Sequence, residues 1–255
     1  MTSVAIVILN YNRCDLLRKY LPAIIEHSPH ASIVVADNGS KDGSADMVEK
    51  EFPSIRVIRI AINLGFCGGY NTALRQIDAD YYVLLNSDVE VTAGWVEPLQ
   101  SILDHQPQVA AVQPKILSLT ERHLFEYAGA GGGLIDRLGY PFCRGRLFYV
   151  LEPDNGQFND SRPIFWSSGA AMMIRSSLYH EMGGLDEDFF AHMEEIDLCW
   201  RLQRAGHLIW YEGASTVYHL GGGTLSVSNP FKTYLNFKNG LSLLYKNLPV
   251  NELII

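Results

Sequence analysis

A chain of 255 residues, 47% hydrophobic and 19% charged, can bury one large core, which excludes disorder and a string of small modules. Its 20 Lys+Arg face 28 Asp+Glu, a formal charge of −8, and no Lys/Arg cluster stands out, which argues against nucleic acid as the main partner. An anionic small molecule stays open, because one divalent ion can supply the positive charge that such a surface lacks.

Cys14, Cys67, Cys143 and Cys199 are far apart and form no CxxC pair, so they read as reduced thiols of a cytoplasmic protein. The N-terminus has no basic stretch, and its apolar run covers only residues 4–9. That is too short for a signal segment or a membrane span, so the chain is expected to be soluble or to rest on a membrane without crossing it.

Residues 4–9 are an unbroken, β-branched apolar run, which predicts a strand buried on both faces. Leu16, Leu17, Tyr20, Leu21, Ile24 and Ile25 follow at helical spacing. A second strand is expected over 32–36, a short helix around Ala45, Val48 and Phe52, and a third strand over 55–60. A helix over 68–77, a buried strand over 81–85, a helix through Trp95, Leu99 and Leu103, and a strand over 109–112 complete the first half. This alternation predicts right-handed βαβ units and a mostly parallel sheet, an α/β fold.

Residues 118–165 are rich in glycine and turn formers and predict loops with a hairpin. A strand over 170–174, a helix over 194–205 stopped by Gly206, and a strand over 207–211 are expected next. Tyr234, Phe237, Leu241, Leu244, Tyr245 and Leu248 lie at helical spacing with Lys232, Lys238 and Lys246 among them. That stretch is either a membrane-surface helix or a helix packed on the core. The chain ends on the apolar Leu253-Ile254-Ile255, which suggests a truncated or naturally short form. With no linker visible, the reading is one domain over 1–255 with two functional halves, a regular βαβ half (1–113) and an irregular half (114–229), and a terminal amphipathic helix (230–255).

Ligands of open parallel sheets bind beyond the carboxyl ends of the strands. Four polar clusters fall there: Asn10-Tyr11-Asn12, Asp37-Asn38-Gly39-Ser40, Asn63-Leu64-Gly65 with Gly68 and Asn71, and Asn86-Ser87-Asp88. The last presents two short oxygen-bearing side chains two residues apart, suited to a hard cation that completes its shell with diphosphate oxygens. Asp78-Ala79-Asp80 has the better acid-x-acid spelling but precedes its strand, so it lies at the wrong edge.

These clusters, with ILNYN (8–12), VVADNGSKDGS (34–44), NLGFCGGYN (63–71), LLNSDVEV (84–91), WSSGAAMMIR (166–175), GGLDEDFFAHMEEIDLCWRLQRAG (183–206) and VYHLGGGT (217–224), resemble the inverting family-2 glycosyltransferases of GT-A fold. The branch most similar is the rhamnosyltransferase-like enzymes of bacterial envelope polysaccharide synthesis. The resemblance implies a donor sugar carried on UDP or dTDP, a saccharide or lipid-linked acceptor, and a divalent metal, Mn or Mg. It implies base and ribose contacts from Asn10, Asn12 and Asp37. Asn63, Gly65, Gly68 and Asn71 would let backbone approach the sugar diphosphate. Some relatives have Ala-Arg-Asn where this chain has Gly69-Tyr70-Asn71, so the basic phosphate contact is missing at Tyr70, and Arg75 is either its substitute or a residue of a solvated helix face.

By the same resemblance, Asp88 binds the metal with Asn86 as the weaker first member of the motif, and His219 completes the site. Glu195, beside Glu194, would be the general base, although relatives usually have Glu-Asp there. The helix N-terminus is expected to favour its ionised form. Trp166 would be a sugar platform or a buried anchor, and Asp186 would shape the acceptor pocket. Asp197, four before Arg201, reads as a structural ion pair. Two rivals remain: a sugar-phosphate nucleotidyltransferase, which would want a glycine-rich loop after the first strand, and a non-catalytic nucleotide-sugar-binding scaffold.

Overall fold

The computed structural model describes residues 2–221 and 230–253. In chain order these form β1 (Val4–Asn10), α1 (Cys14–His27), β2 (Ser32–Asn38), α2 (Ser44–Glu51), β3 (Arg56–Ile60), α3 (Gly65–Leu74) and β4 (Tyr81–Asn86). The chain continues through β5 (Val89–Val91), α4 (Val96–His105), β6 (Val109–Ser118), β7 (Gly133–Ile135), β8 (Pro141–Cys143), β9 (Arg146–Leu147) and β10 (Val150–Leu151). It closes with β11 (Ser161–Ile164), β12 (Ala171–Arg175), α5 (Ser176–Glu181), α6 (Glu194–Arg204), β13 (Leu208–His219) and α7 (Pro230–Asn247). The end of the VYHLGGGT stretch, including Gly222 and Gly223, and Ile254-Ile255 lie outside the described residues.

Among the described residues one nine-stranded sheet runs β11-β13-β6-β12-β4-β1-β2-β3, with β5 paired to β13. β1 pairs in parallel with β2 and β4, β2 with β3, and β13 with β6. β12 is antiparallel to both β4 and β6, so β1 to β4, β6 and β13 all end on one edge. β1 has β2 on one side and β4 on the other, which makes the gap between their carboxyl ends the topological switch point where α/β sheets bind ligands.

The strands are buried on both faces, as their apolar runs require. In β1, Ala5 and Val7 face one core while Val4, Ile6 and Ile8 face the other. Helices α1, α2 and α4 cover the second core; α3, α5, α6 and α7 cover the first. Truncating a fully buried β1 residue such as Ile8 to alanine would cost about 2–5 kcal/mol.

Residues 118–165 hold two hairpins, β7–β8 and β9–β10. The strand expected to end at Tyr211 runs on to His219. A register shift between Glu212 and Thr216 absorbs Gly213-Ala214-Ser215 as a bulge, after which pairing with β6 resumes. The bulge reads as a turn in sequence, yet it is what carries His219 to the rim.

Candidate active site

The switch point is flanked by Asn10 at the end of β1 and Asn86 at the end of β4. Asn10 is fully buried and donates from Nδ2 to Ser40 Oγ (3.2 Å) and Asp37 Oδ1 (3.4 Å). Asp37 accepts from the Ser40 backbone N–H three residues on (3.2 Å), so both its oxygens are engaged, one by Asn10 and one within its own loop. Asn12, with φ +54°, accepts from Lys41 N (2.7 Å), and its own N–H donates to Ser40 Oγ (3.0 Å). Asn10 Oδ1 is buried without a hydrogen-bond partner, a polar atom left over in the cleft.

β5 pairs antiparallel with the end of β13, placing His219 opposite Val89, and Leu220 N–H donates to Asp88 O (3.1 Å). That pairing fixes His219 Nε2 3.1 Å from Asp88 Oδ1 and 3.4 Å from Asn86 Nδ2. Behind the ring, Glu126 Oε1 stands 3.5 Å from Nδ1. Burial opposes charge on His219, but Asp88 and Glu126 overcome it and raise the ring to about 10. Burial likewise opposes ionisation of Asp88, yet His219 holds that carboxyl below the usual range. Arg13, in the loop after β1, adds its positive field at Asp88.

Among the described residues no three His, Cys, Asp or Glu side chains form a ready-made metal cage. Asp88 and His219 supply one carboxylate oxygen and one imidazole nitrogen within reach of a single cation. Two protein ligands suit magnesium or manganese that takes the rest of its shell from phosphate and water, and Glu126 is placed to orient the ring.

β12 starts at the rim, with Ala171 opposite Leu85 and Ala170 O accepting from Asn86 N (3.0 Å). Just before it, the Gly169 N–H donates to the Glu195 carboxylate. Glu195 therefore sits on the same rim, one loop away from Asn86. Burial raises it to about 6, only partly offset by N–H donors of Glu195, Gly169 and Ile196. The helix start was expected to favour ionisation; desolvation is the larger effect, and the base ends near neutrality. Glu194, buried beside it, is pushed well above the ordinary carboxylate range by burial and then by the Glu195 charge.

The loop presenting this pair is strained: Phe190, His192 and Met193 all have positive φ. Asn239 of α7 holds it, donating from Nδ2 to the carbonyls of Phe189 (2.9 Å), Ala191 (2.9 Å) and His192 (2.7 Å). Phe190 O in turn accepts from Phe66 N (2.8 Å), and the Phe190 ring occupies the space a Cβ at Gly65 would need.

The model of "Glycosyl transferase family 2" matches residues 5–182. The chain belongs to glycosyl transferase family 2. This glycosyltransferase is 27% identical over 237 residues to the N-acetylglucosaminyl-diphospho-decaprenol L-rhamnosyltransferase of Mycobacterium tuberculosis, covering 86% of this chain and 76% of that one. It is 25% identical to rhamnosyltransferase WbbL of Escherichia coli K12, over 85% and 83% of the two chains. These relatives place it in the rhamnosyltransferase-like branch. The solved structure of GalNAc-T7 with UDP, GalNAc and Mn2+ superposes with a TM-score of 0.71 at 15% identity, over 96% of this chain. The chain spans about half of that structure, 48%, and the likeness identifies the sheet and its helices as the GT-A fold.

Several residues assigned from the glycosyltransferase resemblance make structural contacts. Asn71 is a buried hub: its amide donates to Leu185 O (2.8 Å) and Glu187 (3.0 Å), and its oxygen accepts from Tyr179 OH (2.6 Å) and Leu185 N (3.0 Å). It staples α3 to the 183–187 loop and presents no free amide. Asn63 is exposed, and its oxygen accepts from Gly65 N (2.9 Å) and Asn38 Nδ2 (3.0 Å), so it caps the turn into α3. Gly68 packs on Leu64 and faces Glu187.

Arg75 follows the C-terminal end of α3, where it bonds Thr72. α3 starts at the rim and rises about 15 Å along its axis, so Arg75 cannot reach a diphosphate there. Trp166 is a buried anchor: Nε1 donates to Leu134 O (2.8 Å), and Gly133 lies so tightly on the indole face that no Cβ would fit. Asp186 caps the turn at 187–189 and pairs with Lys246 (2.6 Å), so it helps dock α7, and it also lines the cleft beside α7. Glu126, Asn239 and Arg13 were not assigned from sequence. Only Arg13, a cation at the first strand's carboxyl end, carried a usable signal.

Proposed function

We propose that this glycosyltransferase is metal-dependent and inverting, taking its sugar from a UDP- or dTDP-linked donor. The acceptor is a hydroxyl of a saccharide or lipid-linked intermediate in bacterial envelope polysaccharide synthesis. The observation that carries the reading is the 3.1 Å approach of His219 to Asp88 at the switch point, with Glu195 on the same rim. The branch relatives are named for rhamnosyl transfer, one onto a lipid diphosphate carrier, which supports the sugar and acceptor classes.

Asn10, Asn12 and Asp37 form the floor for base and ribose, where the leftover Asn10 Oδ1 can accept from a nucleobase N–H. Asp88 and, once its Nε2 proton is displaced, His219 would hold the metal with Asn86 beside them, and a divalent ion there would stabilise the leaving diphosphate's negative charge. Arg13 adds positive field at the same place, a duty first sought at Arg75. Gly65 leaves room for the Phe190 ring at the start of α3, and Gly68 lets Leu64 and Glu187 pack there.

An acceptor hydroxyl attacks the anomeric carbon from the side opposite the diphosphate, and Glu195 takes its proton. With its carboxyl near 6, Glu195 is ionised at neutral pH yet basic enough to accept, the balance general-base catalysis favours. Glu194, which keeps its proton longer, lowers the repulsion around it. The four unpaired cysteines fit work in a reducing compartment, the cytoplasm.

The test is sugar transfer from a panel of UDP and dTDP sugars to polyprenyl-diphosphate sugar acceptors. Asp88→Ala and Glu195→Gln should each lower turnover by orders of magnitude with the fold intact. Near-normal transfer by either refutes its role. Pyrophosphate release from nucleoside triphosphate and sugar phosphate would favour the nucleotidyltransferase, and donor binding with neither transfer nor hydrolysis a scaffold.

A further inference from the structure

Helix α7 carries its apolar surface the wrong way round. Its buried residues are Leu235, Asn239, Leu243 and Asn247, and the two amides bond the acid loop and Asp197. Its outer face carries Tyr234, Phe237, Leu241 and Tyr245, 59% to 78% exposed at three- and four-residue spacing. A helix that only had to pack on this fold would have the opposite pattern.

Alongside, the turn between β7 and β8 presents Leu138 and Tyr140, both about two-thirds exposed. Between them Gly139 meets the Leu244 side chain so closely that no Cβ would fit, so turn and helix form one surface. The same stretch leads into the β9–β10 tip, where Leu147, Phe148, Tyr149 and Val150 are all exposed.

Charge selects the occupant. Residues 137–151 and 230–251 contain Arg137, Arg144, Arg146, Lys232, Lys238 and Lys246 and no Asp or Glu, in a chain of net charge −8. Arg144 and Lys246 are paired to Asp160 and to Asp186 and Asp197. Asp136, at the edge, is engaged by the N–H groups of Leu138 and Tyr140. Lys238 donates only to a carbonyl, Asp188 O. Protein interfaces are depleted in lysine at their core, whereas interfacial membrane segments combine Tyr, Phe and Leu with lysines that reach headgroups.

We propose that α7 and the β7–β8 turn dock on an anionic lipid bilayer, rings at headgroup level and Arg137 and Lys238 toward the phosphates, while Lys232 lies on the inner face beside His192. Among the described residues no helix is long and apolar enough to cross a membrane, so the contact is peripheral. On its opposite face α7 grips, through Asn239, the loop that leads into Glu194-Glu195, so the docked helix is the element that also holds the acid pair. Docking is independent of the transfer reaction, and so is its test.

Full-length protein is sedimented with phosphatidylglycerol–phosphatidylcholine vesicles and with pure phosphatidylcholine vesicles. Wild type should pellet with the anionic vesicles, less with the neutral ones, and less as salt rises. Phe237→Ser/Leu241→Ser/Tyr245→Ser should lose most of that binding while keeping the wild-type thermal midpoint. Wild type that ignores anionic vesicles, or a triple variant that binds them as well as wild type, overturns the proposal. So does a wild-type dimer that ignores vesicles and becomes monomeric in the triple variant, which would assign the face to a second copy.

Discussion

Glu195 is where burial and catalysis meet. Folding raises its carboxyl from the ordinary 4.5 to about 6, so the folded state holds the proton more tightly than the unfolded chain. Stability is therefore lost as pH rises from 4.5 to 6, and above pH 6 the deficit is on the order of 2 kcal/mol. Glu195→Gln keeps an oxygen for the backbone donors and removes the buried charge. Its thermal midpoint should exceed wild type at pH 8, the gap narrowing as pH falls through 6 toward 4.5. Equal midpoints at every pH would contradict the buried-charge account. In wild type, kcat/KM should fall on an acidic limb centred near pH 6, as the base is protonated. Trp166 gives the contrasting case, a residue whose contacts are all structural. Trp166→Ala should cost about 3–5 kcal/mol, read as a lower denaturant midpoint. Its acceptor KM should be unchanged while folded; a raised KM would restore the sugar-platform role.

The pairing of α6 with α7 matters more than either helix alone. α6 starts with Glu194, Glu195 and Asp197 and carries Arg201 and Arg204 in its last turn, matching the helix dipole. Arg201 pairs with Asp197 at 2.8 Å, and α7 adds Lys246 to the same carboxylate at 2.9 Å. Asn239 then fixes the positive-φ residues that aim the acids. Asn239→Ala should lower kcat much more than donor KM. Asn239→Asp, which turns a carboxylate toward three carbonyls, should be worse than alanine; a harmless Asp variant would show that the clamp is unimportant. The Asp197–Arg201 pair was legible beforehand, but the Lys246 contact and the Asn239 clamp were not. The acid pair, its helix and the Gly206 stop are local patterns that sequence displays. Asn239 looks like any polar residue on an amphipathic helix until the acid loop lies under it. Glu126 likewise acquires meaning only when β13 brings His219 alongside.

At the scale of the molecule, the parallel half of the sheet was readable because each strand is a doubly buried apolar run with its polar cluster at one end. Asp88 followed from that logic. The same rule set aside Asp80, which accepts from Ser3 N (2.7 Å) and Ser3 Oγ (2.8 Å) at the opposite edge. The antiparallel insertion of β12 and the bulge in β13 were not readable, since both depend on pairing between distant segments. Motifs do not display the tertiary contacts that Asn71 and Asp186 make, and Trp166 takes the buried-anchor alternative. With a net charge of −8, the proposed diphosphate binding depends on a cation at the rim. Calorimetric titration of UDP and dTDP with and without manganese tests that most directly, on wild type and Asp88→Ala. Wild type should bind one of them at least about tenfold more tightly with manganese, a gain of about 1.4 kcal/mol, and Asp88→Ala should lose that gain. Equal affinity with and without the metal in wild type, or an undiminished manganese effect in Asp88→Ala, would contradict the account.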